Sequence, residues 1–193
     1  VNTRGKGSQA LAVSAQGDKQ GYYGVQFKGY QDTILANRGR QYFEGCTITG
    51  AVDFIFGGAT AYFSRCQIHC VREGYITAAS TPAEQPFGFV FADCKITTES
   101  ADTKTYLGRP WRPFASTIFI RTEMGDAIRP EGWHNWDKPE REKTTRYAEF
   151  QNTGPSANPA ARVPWSRQLS EDEARAITAE SVLRGADGWN PVK

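Results

Sequence analysis

The feature that most constrains this chain is a repeat. Four segments share one pattern: an aromatic residue, two variable residues, a small apolar residue or cysteine, a polar residue and an apolar one. They are "YYGVQF" from Tyr22, "FEGCTI" from Phe43, "FSRCQI" from Phe63 and "FADCKI" from Phe91, with starts 21, 20 and 28 residues apart. Each alternates with period 2, as a strand does. Each is also too short to bury its apolar face alone, so one copy must stack on the next. Units of about 20 residues with short strands and turn glycines, among them Gly29, Gly39, Gly50 and the Gly57–Gly58 pair, predict the coils of a parallel β-solenoid. A β-sandwich of short strands would share the alternation but has no reason to keep the spacing. The longer third interval is explained by a loop at "TAASTPAEQPFG", where Pro82 and Pro86 cannot join a regular ladder.

The same register locates a candidate site. Val25, Cys46, Cys66 and Cys94 occupy equivalent places; Asp32 lies seven residues after Val25, and Asp53 seven after Cys46. Asp53 stands in the otherwise apolar and glycine run "GAVDFIFGG", where a buried carboxylate is costly without a partner. In a parallel stack, equivalent residues of adjacent coils are about 4.8 Å apart at the backbone. Two acids that close resist ionising together, so one holds its proton while the other stays charged. Such a split pair suits nucleophilic and general acid–base chemistry. A pair of turn aspartates bonded to local backbone is the plainer alternative. The amide of Gln31 in "GYQDTI" and the aromatic "FIF" after Asp53 favour a site.

Composition excludes little else. The 193 residues fit one domain, and a net charge of +2 with interspersed acids and bases gives no electrostatic reason to expect nucleic acid or a membrane surface as partner. No apolar stretch approaches the roughly 18 residues of a membrane span, and "VNTRGKGSQALAVS" lacks the layout of a signal peptide. No G-x-S-x-G elbow occurs, and the histidines are His69 and His134, which leaves few bases for a serine triad. Zinc binding by Cys66, His69 and Cys70 is disfavoured because His69 faces the opposite side of its strand from the two cysteines. No metal or other cofactor is expected. The run "DKPEREKTTR" reads as a solvated loop without a function.

"SQALAVS", "GYQDTI", "GAVDFIFGG" and "YLGRPW", in this order, resemble the signature segments of pectin methylesterases; "EGWHNW", "TTRYAEFQNTGP" and "ARVPW" resemble that family's C-terminal portion. The resemblance covers nearly the whole chain and implies an all-β, right-handed parallel β-helix. The implied reaction is hydrolysis of galacturonosyl methyl esters in pectin, methylated homogalacturonan, with release of methanol. By resemblance, Asp53 is the nucleophile, Asp32 the general acid and then base, Gln31 and Gln9 donate to the oxyanion, and Arg109 holds Asp53 ionised. Trp111, Trp133 and Phe56 match positions that line the family's substrate cleft, whereas Trp136, Trp165 and Trp189 are read as structural.

The resemblance further implies a monomer that is secreted or periplasmic, although this chain carries no signal peptide. Earlier coils usual in the family, with their Gly-x-Tyr-x-Glu segment, are missing, so residues 1–193 read as one N-terminally truncated β-helix domain. An intact catalytic centre with reduced stability and weaker substrate binding is expected. Ala51, Gly58 and Ile34 are mild departures from the family pattern. A non-catalytic galacturonan-binding module and a Ca²⁺-dependent β-helical pectate lyase are the competing readings. Cys46, Cys66 and Cys94 share a rung and form either a disulfide or a row of buried thiols, with Cys70 left without an obvious mate. Residues of about 170–184 read as a helix with a Ser170/Glu173 capping box and a stop at Gly185.

Overall fold

The computed structural model describes residues 8–192; residues 1–7 of the stretch weighed as a signal peptide, and residue 193, lie outside the described part. In chain order the strands are β1 (Val13–Ala15), β2 (Gln20–Tyr23), β3 (Gln26–Lys28), β4 (Ile34–Ala36), β5 (Arg40–Glu44), β6 (Thr47–Gly57), β7 (Thr60–Ser64) and β8 (Gln67–Ala79). They continue as β9 (Phe89–Ala92), β10 (Lys95–Thr98), β11 (Thr105–Gly108), β12 (Ser116–Ile120), β13 (Glu123–Met124), β14 (Arg146–Phe150) and β15 (Arg167–Gln168). Their pairings are parallel throughout, which makes the architecture the parallel β-helix that the repeat predicts.

One wall is a seven-stranded sheet in the order β15-β14-β12-β9-β7-β5-β2. The long strands β6 and β8 supply two further walls by bending. Their first halves pair with β3 and β10, their second halves with β4 and β11. The bend in β6 is a register shift between Gly50 and Ile55, and Asp53 sits inside it.

The repeat is explained by what each position does. Its aromatic residue points inward and stacks on its counterpart: Tyr22 on Phe43 at 4.7 Å, Phe43 on Phe63 at 4.5 Å and Phe63 on Phe91 at 4.4 Å between ring centroids. These spacings match the distance between paired strands, so the rings stack because the backbone does. The second variable residue turns the corner with positive φ: Gly24, Gly45, Arg65 and Asp93. Glycine does so without strain; an L-residue there costs about 1–2 kcal/mol. A fifth rung follows the same geometry, with Phe119 stacked on Phe91 at 4.5 Å and Arg121 at the corner. At the sixth, the residue paired with Phe119 is Glu149. Its buried carboxylate takes two hydrogen bonds from Arg162, one from Trp133 Nε1 and one from Asn152 Nδ2, so no charge is left unpaired.

Cys46, Cys66 and Cys94 line up at equivalent positions of consecutive coils, as expected, and all four cysteines are free, buried thiols. Each of the three donates weakly to the carbonyl of the aromatic residue one coil earlier, at Tyr22, Phe43 and Phe63. Ile68 and Cys70 face inward while His69 bonds Thr97 and Glu99 on the outer side, as the strand alternation requires.

The C-terminal helix differs from expectation. It is two helices, α1 (Glu171–Ala176) and α2 (Ala179–Leu183), because Thr178 caps a second start with its own capping box to Ser181. The Ser170/Glu173 box and a left-handed Gly185 are present. Val182 and Leu183 close over the outer face of the seven-stranded sheet at Tyr42, Tyr62 and Val90. Arg40 ties the following segment to the first coils, with bidentate contacts to both Asp18 and Asp187.

Candidate active site

The bend that distorts β6 also turns Asp53 toward a cleft. Asp53 has φ 50°, and Asp32, one coil earlier, has φ 61°. Both acids therefore adopt the left-handed conformation that aspartate tolerates better than most residues. Asp32 N donates to Val52 O at 3.1 Å, which seats the two acids on adjacent rungs. Asp53 is buried and accepts a bidentate pair from Arg109, Nε to Oδ1 at 2.9 Å and Nη2 to Oδ2 at 2.7 Å. The buried acid thus has the partner its surroundings demand.

Arg109 follows β11, whose last residue, Gly108, pairs with Thr77. A side chain at 108 would collide with the Thr77 hydroxyl, its Cβ meeting Oγ1 at 2.1 Å, so only glycine lets this strand approach. The guanidinium lies between two rings, 3.8 Å from the centroid of Tyr75 and 3.7 Å from that of Trp136. Stacking on both faces leaves its edge to bond Asp53.

Burial pushes both carboxyls above the ordinary carboxylate range. Burial, reinforced by the negative charge of Asp53, raises Asp32 to about 6, although Arg109 pulls the other way. Burial also pushes Asp53 upward, opposed by the hydrogen bonds and charge of Arg109. Asp32 is half-buried and has no bidentate guanidinium of its own, whereas Arg109 favours the charged form of Asp53.

Both acids line a cleft of ≈ 190 Å³. Gln9 and Gln31, joined by a parallel bridge, supply amides along one side. Phe56 and Trp111 form an apolar wall, meeting edge to face at 5.7 Å. Ala78, Arg109 and Trp136 complete the lining. Asp53, Asp32, Gln31, Gln9, Arg109, Trp111 and Phe56, all anticipated from sequence, are thus brought together in one place.

A model of the pectinesterase family matches residues 1–186. The chain belongs to the pectinesterase family. It is similar to Pectinesterase 31 of Arabidopsis thaliana, 43% identical over 94% of this chain and 58% of the relative, and to Pectinesterase A of Emericella nidulans, 44% identical over 97% and 56%. Among solved structures it resembles the pectin methylesterase from carrot, with TM-score 0.87, 33% identity and coverage of 93% of this chain and 61% of that one. A pectin methylesterase variant solved with a hexasaccharide gives TM-score 0.80 at 30% identity, covering 97% and 63%. The chain spans a little over half the length of these two curated relatives and about a third of others it matches.

One expected member of the pectinesterase cleft, Trp133, is placed elsewhere. It is 1% exposed, stacks on Tyr147 at 4.3 Å and donates its indole N–H to buried Glu149. The polar edge of that indole is needed inside the helix, so Trp133 is a core residue. Trp136, three residues on, is the one at the cleft. Positive φ at Trp136 and Asp137, with Trp136 N donating to His134 Nδ1, folds a turn that lays its ring on Arg109. The two tryptophans of "EGWHNW" carry no periodicity to tell them apart. Tyr75 was also missed, since a lone tyrosine in a strand has no signal of its own.

Proposed function

We propose that this pectinesterase-family chain hydrolyses methyl esters of galacturonosyl units in pectin and releases methanol. The observation that carries this reading is the buried Asp53–Arg109 pair beside a second acid, Asp32, in one cleft. An Asp53 oxygen attacks the ester carbonyl carbon, and the charge that develops on the carbonyl oxygen is met by the side-chain amides of Gln31 and Gln9, which donate without titrating. Collapse of the tetrahedral adduct breaks the bond to the methoxy group as Asp32 gives it a proton, so methanol leaves and an acyl-enzyme anhydride remains. Asp32, now ionised, takes a proton from water. The hydroxide adds to the sugar acyl carbon, Asp53 departs as carboxylate, and Asp32 is again protonated.

Phe56, Trp111 and Trp136 offer apolar area to a sugar face. The relative solved with a hexasaccharide supports an oligosaccharide as occupant. Secretion and a monomeric state are part of the same proposal. The test is methanol release from methylated polygalacturonate by this chain and by Asp53→Ala. Release that falls to background in the variant is expected. Pectin binding without methanol release, even when the chain is extended to the full length of its relatives, would replace the esterase with a binding module.

A further inference from the structure

The run "DKPEREKTTR" contains a 3₁₀ turn, Pro139–Lys143, with no buried residue and no place in the chemistry above. Its side chains nevertheless reach both aromatic walls of the cleft. Arg141 Nη1 donates to Pro110 O and, at 3.2 Å, to Trp111 O. Glu142 Oε1 accepts from Asn135 Nδ2 at 2.7 Å, immediately before Trp136. Thr144 Oγ1, which donates to Arg141 O, accepts from Phe114 N at 3.5 Å.

We propose that this turn is a brace that sets the spacing of the Trp111 and Trp136 walls, with Arg141 as a positioning residue for the segment from Arg109 to Trp111. Residues 110–114 lie outside any strand, and on the sheet side the Trp111 and Arg112 amides hold them through Ala79 O, at 2.9 and 3.4 Å. Carbonyls 110 and 111 take hydrogen bonds from one guanidinium, that of Arg141. Such charge-assisted bonds are about twice as strong as neutral ones. Because Arg109 and Trp111 flank Pro110, a shift there moves both the partner of Asp53 and the ring that meets Phe56. Glu142 does the same for Trp136, the ring that covers Arg109.

The kinetic part of this proposal rests on the methylesterase reading; the structural part does not. The experiment compares the wild-type chain with Arg141→Ala, Arg141→Lys, Glu142→Ala and, as a control on exposed α1, Arg175→Ala. Hydrogen exchange at residues 111 and 112 is read beside methanol-release kinetics. In Arg141→Ala, exchange at these amides should rise at least about tenfold while β7 and β9 stay protected, and kcat/KM should fall roughly 10–100-fold, chiefly through KM. Arg141→Lys should recover part of both, Glu142→Ala should raise KM without loosening residues 111 and 112, and Arg175→Ala should match wild type. Unchanged exchange at 111 and 112, or a loss of rate at constant KM that merely follows the folded fraction, overturns the brace. If Arg141→Ala does not fold, Arg141→Lys and Glu142→Ala carry the same comparison. A wild-type chain that releases no methanol but shows the exchange response supports the brace and defeats the esterase reading.

Discussion

Replacing Arg109 with leucine isolates the physics of the site. The Asp53 and Arg109 side chains are 8% and 18% exposed, so solvent screens the pair little. Removing one partner of such a pair costs about 3–5 kcal/mol because the other charge is left buried alone. The two ring contacts of the guanidinium, with Tyr75 and Trp136, add about 0.5–2 kcal/mol each. The charge contribution can be separated from the rest by repeating the substitution in an Asp53→Asn background, where the ring contacts are lost equally but no anion is stranded. Urea unfolding of the four proteins at pH 7 should give a coupling of at least about 2 kcal/mol.

The pH dependence has a definite sign. Without Arg109, nothing opposes the burial that raises Asp53, so the folded state holds this proton more tightly than the unfolded chain. Stability is then fullest below the ordinary carboxylate value and is lost as pH rises through the raised folded value, by about 1.4 kcal/mol for each tenfold difference in proton affinity between the folded and unfolded chains. The penalty of Arg109→Leu should therefore be smaller at pH 4 than at pH 7. An equal cost in both backgrounds, or a cost that does not change between these pH values, would refute the reasoning.

Three other outcomes are expected. With Asp32 raised to about 6, kcat/KM for methanol release should decline above that pH as the proton needed by the leaving group is lost, and Asp32→Asn should lower kcat by roughly 10²–10⁴-fold; an alkaline limb unrelated to Asp32 would show in an unchanged profile for a variant that keeps activity. Trp133→Ala should destabilise the fold by about 3–5 kcal/mol in thermal or urea unfolding, whereas Trp136→Ala should act mainly on KM; equal effects of the two would contradict their placement. The four thiols, with Cys70 pushed by burial up to about 12, should be inert to a disulfide reagent in the native chain and should all react after unfolding.

The sequence made the stack legible because a repeated coil writes the same residue types at the same interval. The aromatic at Tyr22, Phe43, Phe63 and Phe91 and the small residue three positions on are both packing requirements of one rung, and they survive any reading frame. The fifth rung was hidden because Thr122 stands where the earlier copies have valine or cysteine, and the sixth because Glu149 replaces the ring. What made Glu149 possible, Arg162, comes from thirteen residues further along and could be matched to it only in three dimensions. The acids were legible as a pair because their offset within the coil is the same. The second start at Thr178 escaped notice because the segment around it is helical in composition on both sides, and only its cap divides it. Trp136 and Tyr75 escaped for a different reason: they reach Arg109 through turns and bends, where sequence order does not dictate direction.

That Asp32 and Asp53 belong to consecutive coils makes their separation a property of the solenoid's pitch. Turns could be added or removed beyond either end of the cleft during evolution without retuning the chemistry, whereas one extra turn between the two would double the gap to about 10 Å. The length of such a molecule is free to vary, and the register between its neighbouring acids is not.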